Sequence, residues 1–263
     1  MRRMFYKYEG AGNDFVIFDH RERFFDHKNV ALIQEICDRR RGVGADGLIL
    51  LENSASHDFK MVYFNSDGKE SSMCGNGGRC IVAFAKHLGL ISDKTEFEAI
   101  DGPHDATLLD NEEVTLKMSD IQSVEINDDH FVLNTGSPHF VKPTKTIEQD
   151  DIYSFGRTIR YSEKYKSEGI NVNLFQLEQP HLIKVRTYER GVEDETLACG
   201  TGVTACAIAS YIFQDINTQE FSTKVKTKGN DLLRVKFRFD GNKFFNVWLT
   251  GPATFVFSGY LNV

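Results

Sequence analysis

Two segments lie about half a chain apart in the 263 residues, MCGNGGRC at 73–80 and ACGTGVTACAIAS at 198–210. Each sets a cysteine before Gly-x-Gly and an apolar stretch. What surrounds them repeats as well. A strand-like segment and a loop precede each cysteine, and three strand-like segments follow it. These are TEFEAI, DATLLD and VTLKM after the first, and TKVKTKG, DLLRVKF and FFNVWL after the second. The openings GNDFV (12–16) and SPHFV (137–141) also correspond loosely. An order that recurs within one chain marks a duplicated structural unit. The expected fold class is α/β (α+β), with two pseudo-symmetric domains, each a curved, mostly antiparallel sheet wrapped around a central helix. The first repeat, 1–122, carries Cys74, and the second, 123–250, carries Cys199, with the boundary near SDIQSVEIND (119–128). The terminal strand within 251–263 is expected to return to the first domain.

Local patterns fill in this frame. FYKYEGAGNDFVIFDH (5–20) reads as two strands around a Gly/Asn/Asp turn. NVALIQEICDRRRG (29–42) reads as a helix capped at its end by Gly42. Arg39, Arg40 and Arg41 then read as the solvated end of that helix, favoured by its dipole, ahead of a binding patch. Ile81, Val82, Phe84, Ala85 and Leu88 form a wide apolar face that stops at Gly89. That predicts a largely buried helix beginning at Cys74. Cys37, Cys80 and Cys206 fall in apolar stretches and are expected in the core.

Composition removes several function classes. A formal charge of −7 lacks the basic surface of a general nucleic-acid binder. No stretch approaches the roughly 20 apolar residues that cross a bilayer, and MRRMFYKYEG has no apolar signal-peptide core. Five cysteines, an odd and scattered set without a secretion signal, point to reduced thiols and a cytoplasmic location.

A helix N-terminus presents backbone N–H groups and about +0.5 of a charge, so it attracts carboxylates. The same field lowers a thiol pKa from about 8.5 toward neutrality. Cys74 and Cys199 each sit where a helix supplies both effects. A zinc site would want close Cys or His pairs, which are missing. A phosphatase-like loop wants an arginine that Arg79 supplies one residue early and the second copy lacks. A cysteine hydrolase leaves one of the two copies unexplained. GVGADG (42–47) matches GxGxxG but follows a helix and precedes a strand, which inverts the dinucleotide context. Two thiols in symmetry-related domains suit racemisation: a thiolate takes a proton from one face of a carbon and a thiol returns one to the other.

The segments GAGNDFV, GVGADG, YFNSDGKESSMCGNGGRC, GINVNL and YERGVEDETLACGTG together resemble the signature segments of the diaminopimelate epimerase family, across nearly the whole chain. The resemblance implies interconversion of LL- and meso-2,6-diaminoheptanedioate in lysine and peptidoglycan precursor synthesis, with no cofactor and no metal. It implies that Cys74 and Cys199 are the acid–base pair. Gly75, Asn76, Gly200 and Thr201 match the backbone donors to the reacting carboxylate. Asn13, Asn65 and Asn171 match side chains that bind the substrate's polar ends, and Arg190 a carboxylate clamp. Glu189 matches an acid beside the reacting centre, and His139 a histidine that tunes cysteine ionisation. A buried, structurally bonded His139 is the competing reading. Ser137 and Gly47 stand where some members carry asparagine and glutamine, and the loop between ERG and ACG is one residue longer than in some. The expected partner is a small amino-acid substrate, with a homodimer left open and neither nucleic acid nor membrane involved. The rivals are a proline racemase or hydroxyproline epimerase and, from another class, a single-cysteine thiol hydrolase or redox protein.

Overall fold

The structure, a computed structural model, describes residues 1–71 and 73–263. The chain divides into two compact units, Met1–Leu116 with Gly251–Val263, and Lys117–Thr250. Among the described residues no helix is long and apolar enough to cross a membrane.

In the first unit the elements run β1 (Arg2–Gly10), β2 (Asn13–Asp19), α1 (Val30–Cys37), β3 (Gly47–Glu52), β4 (Phe59–Asn65), β5 (Glu70–Ser71) and α2 (Gly75–His87). Then follow β6 (Lys94–Ala99), β7 (Gly102–Leu108) and β8 (Val114–Lys117). Neighbouring strands pair antiparallel except at two places, β2 with β3 and β4 with β6. Parallel neighbours need a long crossover. Here α1 makes the first and α2 the second. β3 is buried along its whole length because α1 and α2 both pack on it. That is why it reads as the unbroken apolar run GLILL. β6, facing a core on one side only, alternates buried and exposed residues.

The second unit repeats this plan. It contains β9 (Val124–Ile126), β10 (Phe131–Asn134), β11 (Pro138–Pro143), α3 (Ile152–Arg160), β12 (Asn171–Gln179), β13 (Leu182–Glu189) and β14 (Asp194–Thr196). After these come α4 (Gly200–Phe213), β15 (Glu220–Lys226), β16 (Leu232–Phe239) and β17 (Phe244–Gly251). Again two pairings are parallel, β11 with β12 across α3 and β13 with β15 across α4. The last strand, β18 (Thr254–Asn262), belongs to the first unit and lies antiparallel to β1. The molecule is thus a mixed α/β protein in which each unit wraps a largely antiparallel sheet around one buried helix. α2 is buried at every position from Gly75 to Val82, and α4 from Gly202 to Tyr211. Cys80 and Cys206 lie fully buried in these helices, and Cys37 is buried at the end of α1.

Two local expectations change. Helix α1 stops at Cys37, well before Gly42, because Asp38 leaves the helical region with ψ of 122°. The Asp38 carboxylate then accepts the amides of Arg40 and Arg41, turning the chain, so the three arginines are not a helix end. The segment between β11 and β12, unassigned by pattern, holds α3, whose N-cap Asp151 accepts from the Ser154 amide at 3.0 Å.

Helix α3 lies so close to β13 that a Cβ on Gly156 would come within 2.4 Å of the Tyr188 Cβ. Alanine would gain about 1 kcal/mol of helix propensity, but overpacking against this backbone-anchored ring costs about 1–3 kcal/mol. Gly156→Ala should therefore lower stability. Urea unfolding that gives an unchanged or raised midpoint would contradict the close approach.

Candidate active site

The four helices differ in how they begin. α1 is capped by the Asn29 side chain, which accepts the Leu32 amide, and α3 by Asp151. The two central helices start instead at Cys74 and Cys199, both in extended conformation, with no side-chain cap hydrogen bond. A thiol is a poor acceptor beside an Asn or Asp oxygen. The first intrahelical bonds run from Gly78 to the Cys74 carbonyl at 2.7 Å and from Val203 to the Cys199 carbonyl at 2.8 Å. The amides of Gly75–Gly77 and Gly200–Gly202 therefore precede the helical ladder, the position at which helix starts bind anions.

In the first unit, Cys74 is half-buried. Behind it the fully buried Arg79 donates to the carbonyls of Gly75 (3.1 Å) and Pro252 (3.2 Å) and to Asn76 Oδ1 (3.0 Å). Asn76 passes the order on: its Nδ2 donates to Asn13 Oδ1 at 2.5 Å, and Asn13 Nδ2 donates to Asp46 at 3.0 Å. Asp46 and Asp14 are in turn gripped by Arg39, through contacts of 2.7–2.9 Å. Asn13 and Asn76 are thus brought together, and Arg39, exposed as expected, is also the ion-pair partner of both carboxylates. Asn65 is exposed at the end of β4, its Oδ1 accepting from Tyr63 Oη at 2.8 Å. Gly47 explains itself here. A Cβ at that position would lie 2.6 Å from both the Phe64 carbonyl oxygen and the Tyr63 ring. The ring that holds Asn65 occupies the space a side chain at 47 would need.

In the second unit, Cys199 is buried, with Thr201 Oγ1 3.4 Å from its sulfur and the Thr201 carbonyl accepting from Thr135 Oγ1 at 2.8 Å. Asn171 is buried, and its Oδ1 accepts the Arg190 amide at 2.8 Å. Its Nδ2 donates to Ser137 Oγ at 2.8 Å, and Arg190 Nη2 reaches the same hydroxyl at 3.4 Å. Ser137 therefore links Asn171 and Arg190. Arg190 is exposed and steadied by the Glu168 carbonyl, 2.9 Å away. Glu189 accepts from Thr196 Oγ1 at 2.9 Å. His139 is fully buried beneath this group. Burial, then the charge of Arg190, push its imidazole pKa down to about 3, against a weaker upward pull from Asn173. It is neutral across the physiological range.

The sequence motifs single out none of Asp14, Asp46 and Asn173, and mark Ser137 only as a departure from the family pattern. Among the described residues one cluster, His20, His27 and Glu52, has the donor types for a metal. Its atoms are already paired: both imidazoles lie 2.7 Å from Glu52 Oε1, and the Phe25 amide donates to His20 Nε2. That amide leaves the His20 ring proton on Nδ1, facing the carboxylate, so the cluster reads as a hydrogen-bonded clamp.

The profile of the family described as diaminopimelate epimerase matches residues 5–124 and 131–256. A diaminopimelate epimerase of Flavobacterium psychrophilum is 51% identical, covering 96% of this chain and 97% of that protein. One of Aquifex aeolicus is 40% identical over 98% and 97% of the two chains. Among solved structures, a phenazine biosynthesis protein of the PhzF family from Bacillus anthracis superposes with a TM-score of 0.76 at 12% identity, over 100% of both chains. A probable proline racemase from Agrobacterium radiobacter gives 0.71 at 13% identity, over 99% of this chain and 92% of that one. These structural likenesses show a shared fold.

The acid array beside Asn13 should be visible in stability. Burial pushes the Asp14 carboxyl up, but hydrogen bonds from Arg39 and Lys7 outweigh it and hold the pKa at about 2 instead of 3.8. A depressed pKa means the ionised group favours the folded state. That contribution is complete above about pH 4 and is lost as pH falls through about 2. Asp14→Asn should lower stability at pH 7 and flatten the loss of stability between those two values. Urea midpoints that fall equally in both proteins over that window would remove Asp14 from the array.

Proposed function

The chain belongs to the diaminopimelate epimerase family, and we propose that it moves the substrate α-proton between Cys74 and Cys199. It is an isomerase that interconverts LL- and meso-2,6-diaminoheptanedioate, a step of lysine biosynthesis. In the proposed reaction one sulfur, as thiolate, removes the α-proton from one face. The other, as thiol, delivers a proton to the opposite face, and the reverse reaction exchanges their roles. The carbanion pushes charge into the adjacent carboxylate. The amides of Gly75 and Asn76 and of Gly200 and Thr201 stabilise that charge where it develops. Asn13, Asn65 and Asn171 take the polar ends of the substrate, Arg190 clamps a carboxylate as a planar fork, and Glu189 stands beside the reacting centre. The observation that carries the reading is the paired start of the central helices, each a cysteine without a side-chain cap. Thiol chemistry of this kind needs reduced cysteines, which supports a cytoplasmic location.

A deuterium experiment tests the roles. Thiol protons exchange with solvent before substrate binds, so in D2O the delivering thiol carries deuterium. Early meso product formed from the LL isomer should be labelled at the inverted α-carbon while recovered substrate stays mostly unlabelled. Cys74→Ala and Cys199→Ala should each abolish net epimerisation. Unlabelled early product, or near-normal turnover by either variant, would refute the pairing.

We propose also that two copies of the chain form a homodimer. β18 leaves Phe255 42%, Val256 50%, Phe257 44% and Tyr260 59% exposed, an apolar stretch that a second copy could cover. Light scattering should give the mass of two chains for the natural protein and of one for Val256→Asp. A monomeric natural protein ends this reading.

A further inference from the structure

His139 sits in a hydrogen-bond pattern that settles where its single proton lies. Asn173 lies on β12, and its Nδ2 is 3.0 Å from the Phe140 carbonyl oxygen, which can only accept. Its Oδ1 accepts from Thr187 Oγ1 at 2.8 Å. Both contacts hold the amide in one orientation, so the group facing His139 Nδ1 at 3.1 Å is the donor Nδ2. His139 Nδ1 must then offer its lone pair, and the ring proton is left on Nε2. The Nε2 atom is buried and has no hydrogen-bond partner among the described residues. A buried donor left unsatisfied costs about 1–3 kcal/mol, so its retention calls for an acceptor that arrives with a ligand. The surroundings say which kind. His139 is the register partner of Asn171, and the charge of Arg190 acts on its ring. A neutral N–H within the field of that cation suits an anionic oxygen of the bound amino acid. The same Asn173 Oδ1 lies 2.5 Å from where a Cβ on Gly202 would be, in the first turn of the helix that begins at Cys199.

We propose that Asn173 is a positioning residue that fixes His139 as a neutral hydrogen-bond donor through Nε2, and that this donor serves a substrate carboxylate instead of accepting a proton from a cysteine. A neutral imidazole can polarise an oxygen in this way without contributing a charge. The role in turnover rests on the epimerase reading above; the tautomer rests on geometry alone.

Nitrogen-15 NMR of histidine-labelled protein separates the two. In the natural protein His139 should show a protonated Nε2 and an unprotonated Nδ1, with no titration between about pH 5 and 8, where an ordinary histidine titrates. LL-diaminopimelate added to the Cys199→Ala protein, which has no thiolate at that position, should move the Nε2 proton resonance downfield. Asn173→Asp puts a carboxylate against Nδ1. His139 should then take up a second proton within that pH range, and kcat should fall at least about tenfold with a smaller change in KM. A natural protein with Nδ1 protonated, or with His139 titrating in the ordinary range, overturns the tautomer without recourse to any variant. An unshifted Nε2 resonance on substrate addition overturns the carboxylate as acceptor. Unchanged kcat in an Asn173→Asp protein whose histidine has changed state overturns the positioning role. Absence of turnover in the natural protein would instead remove the epimerase reading and leave the resonances to decide the tautomer.

Discussion

A buried helix that begins at a residue unable to cap it is the constraint on which the molecule turns. Capping by Ser, Thr, Asn or Asp contributes about 1 kcal/mol per helix, and the peripheral helices α1 and α3 have it. α2 and α4 give it up at Cys74 and Cys199. Each then depends on its sheet. The run from Gly75 to Val82 and the run from Gly202 to Tyr211 are buried without a break. Burial of a single Ile, Val or Phe contributes about 1.5–3 kcal/mol, so a few such side chains outweigh the missing cap. The enclosing sheet therefore keeps each helix in place without a cap at its start.

Polar groups around each helix start are held by other polar groups, in chains that reach away from the cysteine. In the first unit the chain runs Arg79, Asn76, Asn13, Asp46 and Arg39. In the second it runs Arg190, Asn171 and Ser137, with Asn173, His139 and Thr187 beneath. Amides and guanidinium groups can point two ways or wander through rotamers when alone. Tied to a carbonyl or a carboxylate they have one orientation, and a site of preset dipoles needs no rearrangement when charge appears.

What could be read from sequence follows the range of the interaction. Cys74 and Cys199 stood out because a helix start is a local event, written in a few consecutive residues. Strand order around β6–β8 and β15–β17 was legible for the same reason, through alternation along each segment. Asp14, Asp46 and Arg39 meet only through the parallel pairing of β2 with β3 and the turn at Asp38, so nothing in their spacing announces them. Gly42 reads as the end of α1, and that hides the turn at Asp38 which carries the exposed Arg39 to the two carboxylates. Ser137 and Asn173 likewise gain meaning only from the β11–β12 register. α3 does carry a helical pattern, with Ile152, Phe155 and Ile159 on the core, but the helix is short and its closest approach is made at Gly156, which periodicity does not count.

The return of β18 to β1 has a consequence for the order in which the molecule is made. β1 lies between β2 and β18, and buried Arg79 finds one of its acceptors at Pro252. Both partners emerge from the ribosome only after the whole of Lys117–Thr250 has been synthesised. At about 5–20 residues per second that interval is on the order of ten seconds. The second unit has all its strands in hand before the first does. During translation the earlier half of the chain waits with one side of β1 unpaired and a buried guanidinium short of a carbonyl, and it is the later half that closes first.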